Sequence, residues 1–243
     1  MTQRLETAVL LVGGDGSRLS PVTGGVIPKP LVEVNGEPIL YWSLSWLKSN
    51  GIRNIVLATA DKTDPLRKYL ESGGNPGLNI SYSPNPIDSG TAGAFKKAIQ
   101  SYVSDPDFVA MNGDELTNMG LREMATKHFS ENPTVTMALA PLHCLFSIAE
   151  LNAKAGEAAR LSGFRYGHHV ESIPISIGIY IFNKRITEQI PDKGSIEDSL
   201  FTDLAQRGEI LGYRLPYGEE WTTVNDPKQV RIAANKLRAW YDK

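Results

Sequence analysis

Two stretches near the N-terminus carry the residue types that phosphate chemistry needs: Gly13-Gly14-Asp15-Gly16-Ser17-Arg18-Leu19, and Ile27-Pro28-Lys29-Pro30-Leu31. Glycines let backbone N–H groups approach a phosphate chain closely, and successive N–H groups form an anion-binding nest. Arg18 offers two parallel donors to phosphate oxygens, and Lys29 a compact point charge. Such charges stabilise the negative oxygens around a reacting phosphorus. The prolines flanking Lys29 restrict the backbone that aims it. Two familiar glycine motifs are excluded. A dinucleotide fingerprint needs a glycine three residues after Gly16, where Leu19 stands, and a P-loop needs Gly-Lys-Ser/Thr opening a helix. The alternative is a glycine-rich surface turn with solvated Arg and Lys.

Four later segments add chemistry. Asn112-Gly113-Asp114 ends an apolar run, and Asp114 suits magnesium, which prefers carboxylate and phosphate oxygens. A lone aspartate there also serves as a turn former or helix cap. Gly90-Thr91-Ala92-Gly93-Ala94 combines a glycine that lets the chain pass close to a flat ring with a threonine suited to a helix N-cap. Trp221-Thr222-Thr223-Val224-Asn225-Asp226-Pro227 precedes the last helical pattern, where the Asp226 charge suits a helix N-terminus. Gly178 interrupts an apolar run, and Glu197 follows Ser195-Ile196 at a helix start, where ordinary helix-start chemistry also explains it.

The elements that must position these residues alternate short apolar runs with helical patterns, which predicts a Rossmann-like three-layer α/β/α fold with a mostly parallel mixed sheet. Strands are expected over Ala8–Val12, Ile55–Thr59, Leu78–Ser83, Phe108–Met111, Thr134–Ala140 and Ile173–Phe182. Helices are expected over Ile39–Asn50, from Asp64 to near Gly73, over Thr91–Tyr102 and Ile196–Arg207, and from Asp226-Pro227 onward. A single domain is expected, with a nucleotide-binding half over about 1–120 and a smaller, lid-like acceptor-binding half over about 121–243. The glycine-rich and polar residues cluster after the first and fourth strands, where open α/β sheets bind ligands.

Composition narrows the function classes. Lysine and arginine number 25, aspartate and glutamate 27, for a formal charge of −2, so no basic excess serves a nucleic-acid backbone. A phosphate substrate must therefore meet local positive groups. The first seven residues are too polar for a signal peptide, and no run approaches the roughly 18 apolar residues of a membrane span. One cysteine, Cys144, permits no internal disulfide, and a cytoplasmic setting is expected. His128 and His143 read as structural. Tyr41, Trp42 and Trp46, on one helix, serve either core or interface, and the oligomeric state is open.

Gly13-Gly14-x-Gly-Ser-Arg-Leu, followed by Pro28-Lys29-Pro30-Leu31 and Gly36-x-Pro38-Ile39, resembles the signature of the sugar-1-phosphate nucleotidyltransferases, which make activated sugars from a nucleoside triphosphate and a sugar 1-phosphate. The resemblance implies that Val12, Gly13, Gly14, Gly16 and Ser17 hold the triphosphate, with Gly90 and Thr91 at the base. It gives Arg18, Lys29 and Asp114 catalytic roles, magnesium (Mg2+) to Asp114 and Asn225, and the acceptor to Asn112, Gly113, Gly178 and Glu197. The loop from Pro84 to Ser89 is expected to read the base. No appended acyltransferase repeat domain is expected after the last helix. The chain departs from the pattern twice. Many relatives place aspartate where Thr223 stands, and a usual Phe-x-Glu-Lys-Pro segment is matched only by Phe164-Arg165-Tyr166-Gly167-His168, with Arg165 and His168 as substitutes. A non-sugar phosphate acceptor, such as phosphocholine or a cyclitol phosphate, and an inactive nucleotide-sugar-binding regulatory protein remain the alternatives. The alanine-rich stretch from Asn152 to Arg160 is expected to be helical or mobile.

Overall fold

A computed structural model describes residues 4–14, 16–25, 27–60, 64–143, 147–150, 152, 154, 158–166 and 169–241. The first strand, β1 (Thr7–Leu11), is an almost continuous apolar run because both of its faces are covered. After it come a single turn of helix over Ser17–Leu19, α1 (Ser20–Thr23), a second such turn over Lys29–Leu31, and the hairpin β2 (Glu33–Val34) with β3 (Glu37–Pro38). The chain then alternates: α2 (Ile39–Ser49), β4 (Asn54–Thr59), α3 (Asp64–Tyr69), β5 (Asn79–Pro84), α4 (Gly90–Tyr102) and β6 (Asp107–Asn112).

The remainder is β7 (Glu115–Thr117), α5 (Leu121–Glu131), β8 (Val135–His143), β9 (Ser147–Glu150), β10 (Gly163–Tyr166) and β11 (His169–Asn183), then α6 (Thr202–Gln206), β12 (Ile210–Arg214), β13 (Trp221–Thr223) and α7 (Pro227–Tyr241). A seven-stranded sheet runs in the order β12-β8-β11-β6-β1-β4-β5. The strands β6, β1, β4 and β5 are parallel, whereas β11 is antiparallel to both β6 and β8. The expected mixed, mostly parallel α/β architecture is therefore present.

Strand residues point alternately to opposite faces. Ala8, Leu10, Ile55, Leu57, Val109 and Met111 pack with Leu40, Leu44 and Leu47 of α2. Val9, Val56, Phe108 and Ala110 pack on the other face with Phe95 and Ile99 of α4. A third apolar cluster joins Leu19 and Val32 to Val224, Ala233 and Leu237, tying the first loop to α7. Trp46 is buried and Trp42 half-buried: their indole N–H groups donate to the Met119 and Val34 carbonyls respectively, and Trp42 stacks on Tyr241.

The structure revises several local expectations. The helix expected over Ile196–Arg207 begins as a wide turn over Glu197–Phe201 before tightening into α6. Helix α5 and strands β7, β12 and β13 were not expected. Within Asn152 to Arg160, the described residues 152, 154 and 158–160 adopt no regular structure, and the rest of that stretch lies outside the described residues. Asp15, Cys144, Gly167 and His168 lie outside the described residues.

Candidate active site

The order of the sheet reverses at β1. The chain moves outward from β1 through β4 to β5, then crosses to β6 on the other side of β1. This switch point sets the loop after β1 beside the residues after β6. A backbone bond from Gly113 N to the Leu11 carbonyl, 2.9 Å, fixes the two strand ends together.

Glycines on these loops have different physical reasons. A Cβ on Gly13 would lie 2.8 Å from the Ala60 backbone nitrogen, and one on Gly113 would lie 2.7 Å from both the Leu11 carbonyl oxygen and Val12 Cγ1. Close strand packing therefore demands both. Gly14 differs, because nothing lies within 4 Å of its Cβ position. Protein packing does not require glycine there, whereas close approach of a ligand would. Gly16 has a left-handed backbone and brings the loop back onto Lys29, whose Cβ is 3.0 Å from where a Gly16 Cβ would stand. Val12 is buried, whereas Gly14, Ser17 and Arg18 are exposed on the loop.

Lys29 is the centre of the arrangement. Its ammonium donates to Asp114 Oδ2 and to Asn225 Oδ1, both at 2.5 Å. Residues 29, 114 and 225, remote in sequence, thus converge on one point. The convergence is built by the backbone, since Val224 N donates to the Asp114 carbonyl at 3.0 Å. Strand β13 also pairs antiparallel with β7, setting Thr223 opposite Glu115. Asp226 accepts from Gln229 N at 2.8 Å and so caps α7, as its position suggested.

Glu115 was not singled out in the sequence, because nothing there shows which way a residue next to Asp114 points. It is buried; its Oε2 accepts from the Trp221 indole at 2.6 Å and its Oε1 from the Thr223 hydroxyl at 3.4 Å. Burial and then the Asp114 charge push its carboxyl well above the usual carboxylate range, while these two donors and Lys29 favour the ionised form.

The residues expected on the acceptor side fall into two groups. Gly178 has φ of 70°, and a Cβ there would stand 2.7 Å from Asn112 Nδ2 and 3.1 Å from Glu115 Cγ, so Asn112, Gly178 and Glu115 meet. Asn112 Oδ1 is buried without a hydrogen-bond partner among the described residues. The second group is a latch. Thr91 Oγ1 accepts from Ile196 N at 2.9 Å and donates to Glu197 Oε2 at 3.1 Å, and Ser195 Oγ donates to the same oxygen at 3.0 Å. Thr91 is therefore not a helix cap, since α4 already begins at Gly90. A Gly90 Cβ would sit 2.3 Å from the Gly194 carbonyl oxygen, so this glycine is needed for the same junction. Burial pushes the Tyr180 hydroxyl well above its usual range.

Beside the first loop, Thr59 Oγ1, Ser83 Oγ and Asn85 Oδ1 are buried without partners among the described residues. They stand at the ends of β4 and β5, next to the loop expected to read the base, and no sequence pattern pointed to Thr59 or Ser83. Residues Gly163–Tyr166 form β10, which pairs with β9 in a separate hairpin where Phe164 is exposed. His128 is structural: its ring nitrogens meet Thr136 Oγ1 at 2.7 Å and Asp107 Oδ1 at 3.1 Å.

A magnesium ion fits these donors. Two hard oxygens, one of them anionic, already converge on a cationic group, the Lys29 ammonium. No group of three or more His, Cys, Asp or Glu side chains gathers as a metal site among the described residues. Magnesium does not need one, because it is held by one or two carboxylates plus substrate phosphates and water. No helix among the described residues is long and apolar enough to cross a membrane.

Comparison with known proteins agrees with the geometry. The family described as Nucleotidyl transferase matches residues 7–145. D-glycero-alpha-D-manno-heptose 1-phosphate guanylyltransferase of Aneurinibacillus thermoaerophilus is 32% identical over 211 residues, covering 85% of this chain and 88% of that protein. The mannose-1-phosphate guanylyltransferase catalytic subunit beta of Xenopus tropicalis is 30% identical over 227 residues, covering 91% of this chain and 61% of that longer protein. Among solved structures, HddC from Yersinia pseudotuberculosis superposes with a TM-score of 0.75 at 24% identity, covering 96% of this chain and 100% of that one, and so shares the fold. With a family match that spans more than half its length and begins at β1, the chain belongs to the nucleotidyl transferase family.

Proposed function

We propose that the protein transfers a nucleotidyl group from a nucleoside triphosphate to a sugar 1-phosphate, releasing pyrophosphate. The observation that carries this reading is the meeting of Lys29, Asp114 and Asn225 against the Gly16 turn of the glycine-rich loop. The curated relatives named above are a heptose 1-phosphate and a mannose-1-phosphate guanylyltransferase, so a guanine nucleotide and a manno-configured sugar 1-phosphate are the proposed substrates.

The chain's own groups divide the work. The loop from Val12 to Ser17 receives the triphosphate on its backbone N–H groups, with the Gly14 face open to it. Arg18 and Lys29 neutralise the phosphate oxygens as the α-phosphorus is attacked and pyrophosphate departs. The sugar phosphate oxygen is the nucleophile and is already ionised, so the protein contributes no nucleophile. Asn112, Gly178 and Glu197 line the acceptor side. Asp114 and Asn225 would hold magnesium, which supplies charge neutralisation to the phosphates of both substrates. Catalysis is then chiefly positioning and electrostatics.

The test is pyrophosphate release by purified protein with magnesium, the four nucleoside triphosphates and a panel of sugar 1-phosphates. Release with GTP and a manno-configured acceptor is expected. Lys29→Ala and Asp114→Ala should each lower turnover by about 100-fold or more, the scale of removing one charge-stabilising group. Near-full turnover in both variants would sink the mechanism. Silence of the wild type across the panel, with nucleotide still bound, would point to a non-sugar acceptor or a binding protein.

A further inference from the structure

An asparagine ligand has a weakness that a carboxylate lacks. Its amide shows oxygen on one side and N–H on the other, and only the oxygen can face a cation. Asn225 is held firmly at its backbone, where its N–H donates to Gln229 Oε1 at 2.6 Å and the preceding Val224 N donates to the Asp114 carbonyl at 3.0 Å. The freedom that matters is a 180° turn of the amide. In the structure Oδ1 faces the Lys29 ammonium, and Nδ2 donates to Thr223 Oγ1 at 2.7 Å.

A threonine hydroxyl by itself does not choose between the two amide orientations, because it both donates and accepts. Here its proton is committed elsewhere. Thr223 Oγ1 donates to Glu115 Oε1 at 3.4 Å, which leaves its lone pairs for the Asn225 N–H. Glu115 is locked in turn by the Trp221 indole, which donates to its other oxygen at 2.6 Å. The pairing of β7 with β13 places Thr223 directly opposite Glu115. Donation therefore runs one way from Asn225 through Thr223 to Glu115, whose other oxygen is held by Trp221, and leaves the Asn225 oxygen for the cation.

We propose that Thr223, braced by Glu115, is a positioning residue that keeps the Asn225 amide oxygen turned toward the metal ion. Lys29 holds the same orientation while its ammonium lies on these oxygens; a metal ion entering between Asp114 and Asn225 displaces that ammonium, and Thr223 then holds the amide oxygen toward the ion. The inference rests on the reading of Asp114 and Asn225 as the protein ligands of the metal. It also accounts for the hydroxyl at position 223, since an amide ligand needs a neighbour to orient it, and a carboxylate, whose two oxygens are equivalent, does not.

The test is Mn2+ binding to the nucleotide-free full-length protein, followed by the electron paramagnetic resonance of free Mn2+, with thermal melts as a check on folding. Thr223→Val keeps the shape and removes the hydroxyl, and should weaken Mn2+ binding about tenfold, the lower end of the effect of losing a residue that orients a metal ligand. Thr223→Ser should restore it to within about twofold of wild type. Glu115→Gln provides a second route. Glutamine has one oxygen for two donors, Trp221 and Thr223, so its amide N–H turns the Thr223 proton toward Asn225, and Mn2+ binding should again weaken. Wild-type affinity in Thr223→Val and Glu115→Gln, with Asn225→Ala weakened, would overturn the orienting chain and leave the ligand assignment standing. Wild-type affinity in Asp114→Ala and Asn225→Ala, or no Mn2+ bound by the wild type either alone or with a non-hydrolysable GTP analogue, would overturn the ligand assignment, and this proposal with it.

Discussion

Replacing Gly13 and Gly14 by alanine, one at a time, separates packing from ligand contact within a single loop. The new methyl group of Gly13→Ala would stand 2.8 Å from Ala60 N and 3.0 Å from the Thr59 carbonyl carbon, both backbone atoms of β4 and its end. Backbone cannot swing aside as a side chain can, so the strands must separate. Overpacking of this kind costs about 1–3 kcal/mol. For a chain of this size each kcal/mol is worth roughly 2–4 °C, so Tm should fall by about 2–12 °C. Gly14→Ala meets open space, and its backbone is not left-handed. Its Tm should hold or rise slightly, because alanine narrows the unfolded ensemble and stabilises the fold by about 0.4–1 kcal/mol. Its nucleotide affinity should fall instead. Holding one phosphate oxygen away from its backbone donor forfeits a charge-assisted bond of about 1.5–3 kcal/mol. That is roughly a 10- to 100-fold rise in Kd. Differential scanning fluorimetry reads the first quantity and calorimetric titration with GTP the second. Unchanged GTP affinity in Gly14→Ala, or an unchanged Tm in Gly13→Ala, would refute the division of roles.

Two further outcomes follow from the described contacts. Burial lowers the His128 pKa from 6.5 more than the Asp107 bond raises it, so the unfolded chain binds the proton more readily; stability should therefore decline as pH falls below about 6.5. His128→Gln should lack that decline, and the Tm gap between the two proteins should narrow from pH 7 to pH 5. Thr91→Val strands the Ile196 N–H and releases Glu197, at a cost of about 1–3 kcal/mol, and should lower Tm by several degrees; Thr91→Ser should recover most of the loss. No loss in Thr91→Val would show that the Thr91–Glu197 contact does not fasten the start of α4 to the loop before α6.

Much of the site was legible because its parts are local in sequence. The run Thr7–Leu11 followed by glycines announces a buried strand feeding a glycine-rich loop, since apolar patterning and glycine conformation act within a few residues. The edge strands were harder to read. Strand β12, only partly buried, has no continuous apolar run, and Trp221–Thr223 is too short to show any period. Their strand form comes from pairing with β8 and β7, which is a long-range fact.

The sequence by itself determined the alternating α/β architecture and singled out the glycine-rich first loop, Lys29 and Asp114 as candidates, because residue type and local order carry that information. Only the tertiary structure decided that Lys29, Asp114 and Asn225 share one point, that packing rather than ligand contact demands Gly13 and Gly113, and that Thr91 fastens Glu197 and does not cap a helix. It also decided that Glu115 turns inward to Trp221 and Thr223. The physical reason is that a hydrogen bond depends on direction over about 3 Å, whereas these partners lie as many as 196 residues apart along the chain.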